Sequence, residues 1–271
     1  MDERLHLRRP VTRVTGRSRE AGEDDVAVER ALEIRVDERA LSVTLRTPGH
    51  DDELALGFLA SEGVLHAAAD VARVRLEPAP HRDAPDVADV TLAEGVTLDW
   101  SKLERHFAAT AACGICGRAH LESLHAGLAA GAAPAGGAPL DGERLIGLGA
   151  RLRERQQGFA ATGGLHAAAW CDDALEPRVL REDVGRHNAL DKVCGVLLRE
   201  GRHGAAGGVL WVSGRAGAEL VLKAARARVR WLAAVGAPTT LSVDLARTAG
   251  LGLAGFVRDG RMNVYAEPGG A

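Results

Sequence analysis

Apolar and polar residues alternate over residues 32–36 and again over residues 41–45. Alternation with a period of two over runs this short predicts the two strands of a β-hairpin. Residues 51–62 begin with acidic side chains and continue with leucines and a phenylalanine, which predicts an α-helix. Two further strands are expected at residues 71–76 and 87–92, so this half of the chain is predicted to form a small α-β domain.

Helical and extended patterns alternate in the second half of the chain. Helices are predicted at residues 141–157, 184–200, 216–228 and 239–249. Strands are predicted at residues 165–171, 177–183, 209–212, 231–235 and 253–257, with an edge strand at 262–266. Because the run 209–212 is apolar throughout, it is expected in the centre of the sheet. Strands that alternate with helices indicate an α/β sandwich of three layers.

Composition divides the chain into four parts. Residues 1–25 are polar, rich in arginine and without periodicity, and are predicted to be a flexible tail with at most one short strand. Residues 26–130 are the predicted N-terminal α-β domain, which ends in a CxxC loop at residues 113–117. Residues 131–139 contain only Gly, Ala and Pro, as in an interdomain linker, and residues 140–271 are the predicted α/β domain.

Charge and cysteine content narrow the classes of function. The chain has 271 residues and a net charge of −3, which argues against a general nucleic-acid or membrane-surface binder. No run approaches the ~18 apolar residues that span a bilayer, and the first residues lack the apolar run of a secretory signal. Four cysteines are too few for a disulfide scaffold at this length, so a cytoplasmic location is expected.

The segment Cys113-Gly114-Ile115-Cys116-Gly117 carries the candidate chemistry, and three interpretations are open from the residues alone. Structural zinc needs four ligands, and the chain has no second CxxC. A thioredoxin-like redox pair normally follows a strand, which the alanine- and glycine-rich approach does not supply. A sulfur-carrying or otherwise nucleophilic thiol is favoured, because Arg118 or His106 nearby would lower the pKa of Cys113.

Four polar turns lie where predicted strands end or begin. They are residues 162–166, 181–188, 213–217 and 256–261. Strand ends in α/β sheets are where ligands bind, and helix N-termini favour anions. Each turn alone is also explained as a tight turn or a helix cap. The turns at residues 181–188, 213–217 and 256–261 together favour a nucleotide-like ligand, with the arginines on its anionic part and Phe256 on a ring.

Several motifs taken together resemble one known family. They are Arg46-Thr47-Pro48-Gly49-His50-Asp51-Asp52-Glu53, Cys113-Gly114-Ile115-Cys116-Gly117, Thr162-Gly163-Gly164-Leu165-His166, and the segments 181–192, 213–215 and 256–265. This combination, spread over residues 32–265, resembles the formate dehydrogenase accessory protein family, FdhD/NarQ.

The resemblance implies a sulfur carrier, a sulfurtransferase. Members of that family take sulfur from a cysteine desulfurase as a persulfide and pass it to the molybdenum of bis(molybdopterin guanine dinucleotide) before formate dehydrogenase receives the cofactor. Cys113 matches the persulfide cysteine and Cys116 its auxiliary partner. Cofactor binding is implied for Phe256, Val257, Arg258, Asp259, Gly260 and Arg261. A guanine nucleotide is expected to mimic the cofactor, and no structural metal is expected.

The resemblance also implies a fold and an assembly. The fold class is α/β, α+β overall, with a C-terminal αβα sandwich of cytidine deaminase-like type around a mixed sheet, and the assembly is a homodimer. One alternative function is a non-catalytic chaperone that binds the molybdenum cofactor. Another is a zinc-dependent deaminase, which is disfavoured because Ala167 and Ala168 follow His166 where that chemistry needs an H-x-E.

Overall fold

The computed structural model describes residues 5–81, 83–100, 103, 140–204 and 207–269. The predicted linker at residues 131–139 and the CxxC loop at residues 113–117 lie outside the described residues, as do His106 and Arg118. Within the described ranges the protein has a mixed α/β fold whose strands form three sheets.

The N-terminal domain is built on a four-stranded sheet. Its elements are β3 (Arg30–Val36), β4 (Arg39–Arg46), α1 (Asp51–Ser61), a 3-10 turn (Ala68–Asp70), β5 (Val71–Glu77) and β6 (Asp86–Leu92). The strand order is β4-β3-β6-β5. The alternating side chains of Leu32, Ile34 and Val36 are buried with the leucines of α1 in one apolar cluster. The predicted hairpin, helix and two strands are confirmed.

The C-terminal domain is built on a six-stranded sheet. Its strands are β7 (His166–Cys171), β8 (Pro177–Asp183), β9 (Val209–Val212), β10 (Trp231–Ala234), β11 (Gly252–Arg258) and β12 (Arg261–Ala266). Its helices are α2 (Gly142–Arg153), α3 (Gln157–Thr162), α4 (Arg186–Arg199), α5 (Ala218–Arg226) and α6 (Thr240–Thr248). The strand order is β12-β11-β10-β9-β7-β8, and β9, β10 and β11 run parallel to one another while the other pairs are antiparallel.

Helices cover both faces of this sheet. Successive side chains of a strand point to opposite faces, and β9 shows the consequence. Leu210 and Val212 belong to the apolar cluster that contains residues of α4, α5 and α6, whereas Trp211 belongs to the cluster that contains residues of α2. The three layers expected from the alternation of helices and strands are therefore confirmed, as is the mixed sheet.

The predicted helix at residues 141–157 is shorter than expected. Asp141 is its N-cap, as predicted, and its carboxylate accepts a hydrogen bond from the Arg144 N–H at 3.0 Å. Helix α2 then ends at Arg153, and a separate short helix, α3, starts at Gln157. The turn between them buries Gln156, which is 1% exposed.

Helices α1 and α4 cross at a backbone-to-backbone contact that joins the two domains. A Cβ added at Gly57 would collide with the carbonyl of Asp191, and one added at Gly195 would collide with the carbonyl of Glu53. Only glycine fits at these two positions, because any side chain would force the helices apart. The two domains are therefore packed directly on each other.

The prediction of an irregular tail over residues 1–25 is wrong from His6 onward. The strands β1 (His6–Thr15) and β2 (Ser18–Ala27) form an antiparallel hairpin that turns at Gly16, where φ is 60°. Basic residues of β1 face acidic residues of β2, as in the pairs Arg9–Asp24 and Arg13–Glu20. The hairpin has no alternating apolar face, so the pattern of hydrophobic positions could not reveal it.

Candidate ligand-binding site

The carboxyl ends of β9, β10 and β11 meet at one edge of the large sheet, where a cavity of about 590 Å³ lies against helix α2. Ser213, Val235 and Val257 line it at the strand ends, and Gly149 and Arg153 line it on the helix. Ligands of open α/β sheets bind outside the carboxyl ends of the strands. The cavity therefore occupies the position where such a fold is expected to bind a small molecule.

Four of the six residues predicted to bind cofactor line this cavity: Val257, Arg258, Asp259 and Gly260. Asp259 and Gly260 have φ values of 53° and 73° and form a two-residue turn between the paired residues Arg258 and Arg261. An Asp-Gly pair suits such a turn because both of its positions require positive φ. The turn leaves the Arg258 guanidinium exposed, 3.5 Å from the Asp259 carboxylate.

Phe256, the first residue of the predicted segment, has a strained backbone. Its φ is 53°, inside a register shift between β11 and β12. Its N–H donates to the Gly236 carbonyl at 3.1 Å, outside the strand pairing. An aromatic residue in the left-handed region costs on the order of 1–3 kcal/mol, and such strain concentrates at functional sites. The bulge re-aims the residues that follow, Val257 and Arg258, which line the cavity.

The loops after β9 and β10 are locked together beside the cavity. The Gly236 N–H donates to the Gly214 carbonyl at 2.9 Å, and a Cβ at Gly236 would lie only 2.9 Å from that oxygen. This contact fixes the loop that carries Ser213. The Ser213 hydroxyl accepts from the Ala167 N–H at 2.9 Å and lies 3.5 Å from Nδ1 of His166.

His166 is held next to the cavity by the predicted glycine turn, in which Gly163 has a φ of 65°. Burial lowers the pKa of His166, and the positive charges of Arg186 and His187 lower it further. The imidazole is therefore neutral at neutral pH, with one nitrogen able to donate and the other to accept.

The polar segment at residues 181–188 has a different role from the one its sequence suggested. Arg181 donates to Glu53 at 2.5 and 2.8 Å, and Asp183 accepts from Lys192 at 2.8 Å. Arg181 is therefore paired across the junction of the two domains, and Asp183 is paired with a lysine of its own domain, so the arginine is not free to bind an anion. Arg186 is exposed, and its side chain lies near Gly214, where an added Cβ would be 3.8 Å from its Cδ.

The two cysteines that the structure describes, Cys171 and Cys194, are buried and free. Burial raises the pKa of each thiol to about 12. Neither forms an appreciable amount of thiolate near neutral pH, so neither is suited to nucleophilic chemistry. The described ranges also contain no cluster of three or more His, Cys, Asp or Glu side chains that could hold a metal ion.

A second cavity, of about 760 Å³, lies between the β1–β2 hairpin and the small sheet. It holds none of the residues predicted to bind cofactor, and its Arg30 is paired with Asp86 at 2.9 Å.

No helix in the described part of the chain is long and apolar enough to cross a bilayer.

The sequence analysis did not single out several residues that line the strand-end cavity. Gly147 and Gly149 come from α2, and Gln156 and Trp211 from the turn and strand beside it. A weak signal was present, because two glycines inside a predicted helix cost stability and usually have a packing or functional reason. Gln156 and Trp211 carried no comparable signal.

Comparison with known proteins shows the family to which this chain belongs. The FdhD/NarQ family matches residues 27–270. A relative from Nocardia farcinica, named sulfur carrier protein FdhD, is 45% identical over 268 residues, which is 98% of this chain and 94% of the relative. A relative of the same name from Anaeromyxobacter sp. strain K is 46% identical over 255 residues, or 90% and 87% of the two chains. The crystal structure of a candidate formate dehydrogenase accessory protein from Desulfotalea psychrophila shares the fold, with a TM-score of 0.75, 21% identity, and coverage of 98% and 99%.

Proposed function

Because the chain belongs to the FdhD/NarQ family, we propose that it is a sulfur carrier that serves formate dehydrogenase. In this proposal Cys113 accepts sulfur from a cysteine desulfurase as a persulfide. The protein then passes that sulfur to molybdenum in bis(molybdopterin guanine dinucleotide), its bound substrate, before the cofactor enters formate dehydrogenase. It acts in the cytoplasm as a homodimer.

The observation that carries this proposal is the strand-end cavity. Its volume of about 590 Å³ lies within the ordinary range for small-molecule sites. The segment that matches the family's cofactor-binding residues supplies Val257, Arg258, Asp259 and Gly260 to its wall. The cofactor is long and anionic, and the exposed guanidinium groups of Arg153 and Arg258 offer charge-assisted hydrogen bonds to phosphates.

Sulfur loading follows the chemistry of thiol exchange. The Cys113 thiolate attacks the terminal sulfur of the donor's persulfide, a new S–S bond forms on Cys113, and the donor cysteine leaves as a thiolate. No net oxidation occurs in this step. Cys171 and Cys194 do not compete for the sulfur, because burial raises the pKa of both thiols to about 12.

Sulfur delivery breaks the same S–S bond. The terminal sulfur bonds to molybdenum, two electrons pass from the metal to that sulfur to make it a sulfide, and Cys113 is released as a thiolate. Cys116 has an auxiliary role, either in tuning the pKa of Cys113 or in relaying the sulfur.

Mass spectrometry tests the loading step. The protein is incubated with a cysteine desulfurase and cysteine, and its peptides are then compared under non-reducing conditions. We expect one added sulfur atom on the peptide that contains Cys113 and none on the peptides that contain Cys171 or Cys194. An unmodified Cys113 would remove the proposed carrier role.

A maturation assay tests whether the carrier step is needed. A strain that lacks this protein is complemented with the wild-type chain, with Cys113→Ala or with Cys171→Ala, and formate dehydrogenase activity is measured. We expect Cys113→Ala to restore none of the activity and Cys171→Ala to restore all of it. Full activity with Cys113→Ala would instead favour the cofactor-binding chaperone.

A further inference from the structure

His50 stands in an unusual backbone conformation between β4 and α1. Its φ is 59°, in the left-handed region, and Gly49 before it has a φ of 101°. A residue other than glycine is uncommon there, and such residues cluster at functional sites. The His50 side chain is 53% exposed, so packing of the imidazole does not explain the conformation. The residue is therefore a candidate for a function that the cavity does not account for.

Buried charges hold the chain on both sides of His50. The Thr47 N–H donates to the Asp183 carboxylate at 3.2 Å, and the Thr47 carbonyl accepts from a buried lysine at 2.9 Å. Arg46 is fully buried and is bonded at 2.7 and 2.9 Å to Asp51, the residue after His50. Bonds of this kind preorganise a functional group, because they lock the backbone that carries it. The turn therefore presents His50 in a defined position.

Glu53 orients the His50 imidazole. One of its carboxylate oxygens lies 3.4 Å from His50 Nδ1. The carboxylate is 4% exposed and is fixed in turn by Arg181 at 2.5 and 2.8 Å and by Arg199 at 2.8 Å. Because an ionised carboxylate only accepts hydrogen bonds, it favours a proton on Nδ1 and leaves Nε2 to accept another. A fixed carboxylate behind an exposed imidazole is the arrangement of a general base.

The His50 turn lies at the edge of the large sheet that carries the strand-end cavity. Asp183, which binds Thr47, is the last residue of β8 and pairs with His166 at the start of β7. His166 lies 3.5 Å from the hydroxyl of Ser213, which lines the cavity. A base in this turn is therefore on the side of the molecule to which the proposed function brings sulfur.

Cys113 can reach this turn by chain length alone. It follows Leu103 by ten residues, and an extended chain of that length spans at most about 35 Å. Leu103 packs against the apolar cluster that contains Leu54 of α1, the helix that begins directly after His50. Because a helix of this length measures only about 16 Å, His50 lies within that span.

We propose that His50 is the general base of the sulfur carrier and that Glu53 is its positioning residue. Nε2 of His50 takes the proton of the Cys113 thiol, and the resulting thiolate attacks the terminal sulfur of the donor's persulfide. The S–S bond of the donor breaks as the new one forms on Cys113, and the leaving thiolate takes the proton from the imidazolium, so no net oxidation occurs. The inference rests on the proposed function for the identity of the reacting thiol.

The pH dependence of Cys113 alkylation tests this assignment. Iodoacetamide is added over a range of pH, and alkylation of the peptide that contains Cys113 is followed by mass spectrometry. The thiolate is the reactive form, so the profile reports how readily the thiol loses its proton. His50→Asn removes the base, and asparagine tolerates positive φ. We expect its profile to move to higher pH and its rate at neutral pH to fall about tenfold.

His6 supplies the matched control. Its side chain is 41% exposed, and its Nδ1 lies 3.2 Å from the Asp25 carboxylate, so it too is an exposed imidazole beside a carboxylate. It belongs to the regular strand β1 of the hairpin and not to the sheet edge that carries the cavity. His6→Asn is therefore expected to leave the rate and the pH profile of Cys113 alkylation unchanged.

Chemical rescue and thermal stability separate a base from a structural group. The melting temperature of His50→Asn is expected to stay close to that of the wild type while the reactivity of Cys113 falls. His50→Gly also fits the backbone and leaves space for a free imidazole. Added imidazole should restore part of its alkylation rate, whereas it would not restore a rate lost through misfolding. This variant decides the question if His50→Asn proves too unstable to measure.

The outcomes separate this inference from the function on which it rests. If the wild type and His50→Asn give the same alkylation profile, the assignment of the base is wrong. It is also wrong if His106→Asn or His187→Asn slows alkylation and His50→Asn does not. If Cys113 gains no sulfur from a cysteine desulfurase while His50→Asn still shifts its profile, the carrier function fails and the assignment of His50 as the base of Cys113 stands.

Discussion

The protein buries polar side chains in two regions, and they differ in whether the protein supplies the hydrogen-bond partners. Within the N-terminal domain, beside its junction with the other domain, Arg46 is fully buried and binds Asp51 at 2.7 and 2.9 Å and Asp86 at 2.7 Å. Lys192, in the same region, binds Asp183 at 2.8 Å and donates to a backbone carbonyl at 2.9 Å. Beside the strand-end cavity, by contrast, the side-chain oxygen of Gln156 and the indole N–H of Trp211 are buried and have no partner among the described residues.

The difference shows why charge in a loop does not by itself identify a binding site. The segments at residues 181–188 and 256–261 look alike in sequence, since both place arginines and an aspartate beside a strand end. In the first segment the other domain supplies the partners, such as Glu53 for Arg181. Beside the second segment, helix α2 contributes Gly149, and a cavity lies between this helix and the strand ends. The polar groups of a domain junction are paired by the protein itself, whereas those of a binding site are paired by its ligand.

The largest effect is expected from breaking the buried ion pairs of Arg46 in the N-terminal domain. Arg46→Leu leaves Asp51, which is 2% exposed, without its guanidinium partner, while Asp86 keeps its ion pair with Arg30 at 2.9 Å. Removing one member of a buried ion pair costs about 3–5 kcal/mol, because the remaining charge has no compensation. Urea unfolding should show a loss of that size in the free energy of unfolding.

A surface arginine gives the control for this experiment. Arg8 is 72% exposed and pairs with Glu23 at 3.6 Å, so Arg8→Leu should change the free energy of unfolding by less than about 1 kcal/mol. Equal effects of the two substitutions would mean that stability does not depend on the buried ion pairs of Arg46.

Acid should weaken the domain junction itself through Glu53, which pairs with Arg181 of the other domain. Burial alone would raise the pKa of Glu53, but hydrogen bonds from Arg181 and His50 outweigh burial and lower it from 4.5 to about 2. Because the folded-state pKa is depressed, the stability that Glu53 contributes is present above pH ~4.5 and is lost as the pH falls toward ~2. The contribution is on the order of 3 kcal/mol, from a shift of that size at about 1.4 kcal/mol per unit.

Comparison of the wild type with Glu53→Gln isolates this contribution. The free energy of unfolding is measured for both proteins at pH 6, 4 and 3, conditions chosen around the window in which Glu53 titrates. The gap between the two proteins should narrow as the pH falls. A gap that stays constant over this range would show that Glu53 is not the group that responds to acid.

A substitution at the cavity should have the opposite effect: ligand binding should weaken while the free energy of unfolding changes little. Arg258 is exposed, so Arg258→Ala should change the free energy of unfolding by less than about 0.5 kcal/mol. Loss of a charge-assisted hydrogen bond to phosphate should weaken pyrophosphate and GDP binding by about tenfold in calorimetry. Arg8→Ala, far along the chain in the hairpin, should leave both affinities unchanged.

The sequence predicted most of the fold because the fold depends on local patterns. Alternation at Leu32, Ile34 and Val36 and the apolar run of β9 give the strands directly. The β1–β2 hairpin was missed because its strands pair through opposite charges instead of an apolar face. The pairing of Arg181 with Glu53 and the convergence of Gln156 with Trp211 join residues far apart in the chain, so no local pattern could reveal them.

Part of the segment assigned to cofactor binding lies at the cavity. Residues Val257 to Gly260 line it and Phe256 and Arg261 do not, and cofactor binding by the six residues stays a prediction. The roles of Cys113 and Cys116 stay predictions, since both residues lie outside the described ranges. The sequence left the roles of Cys171 and Cys194 open. Their burial now explains why neither is suited to carry sulfur.

The smallest effect is expected for the pKa of His166. This residue lies between the strand-end cavity and the domain junction, and charged groups near it shift its pKa. Burial lowers the pKa of His166 first, Arg186 and His187 lower it further, and Asp183 of the domain junction opposes them. Arg186→Ala should therefore raise the pKa of His166 toward 6.5, as followed by NMR titration. His203, whose pKa of about 4 is set by burial, His66 and Arg226, should not move. An unchanged pKa of His166 would mean that the charge of Arg186 does not act on this side of the cavity.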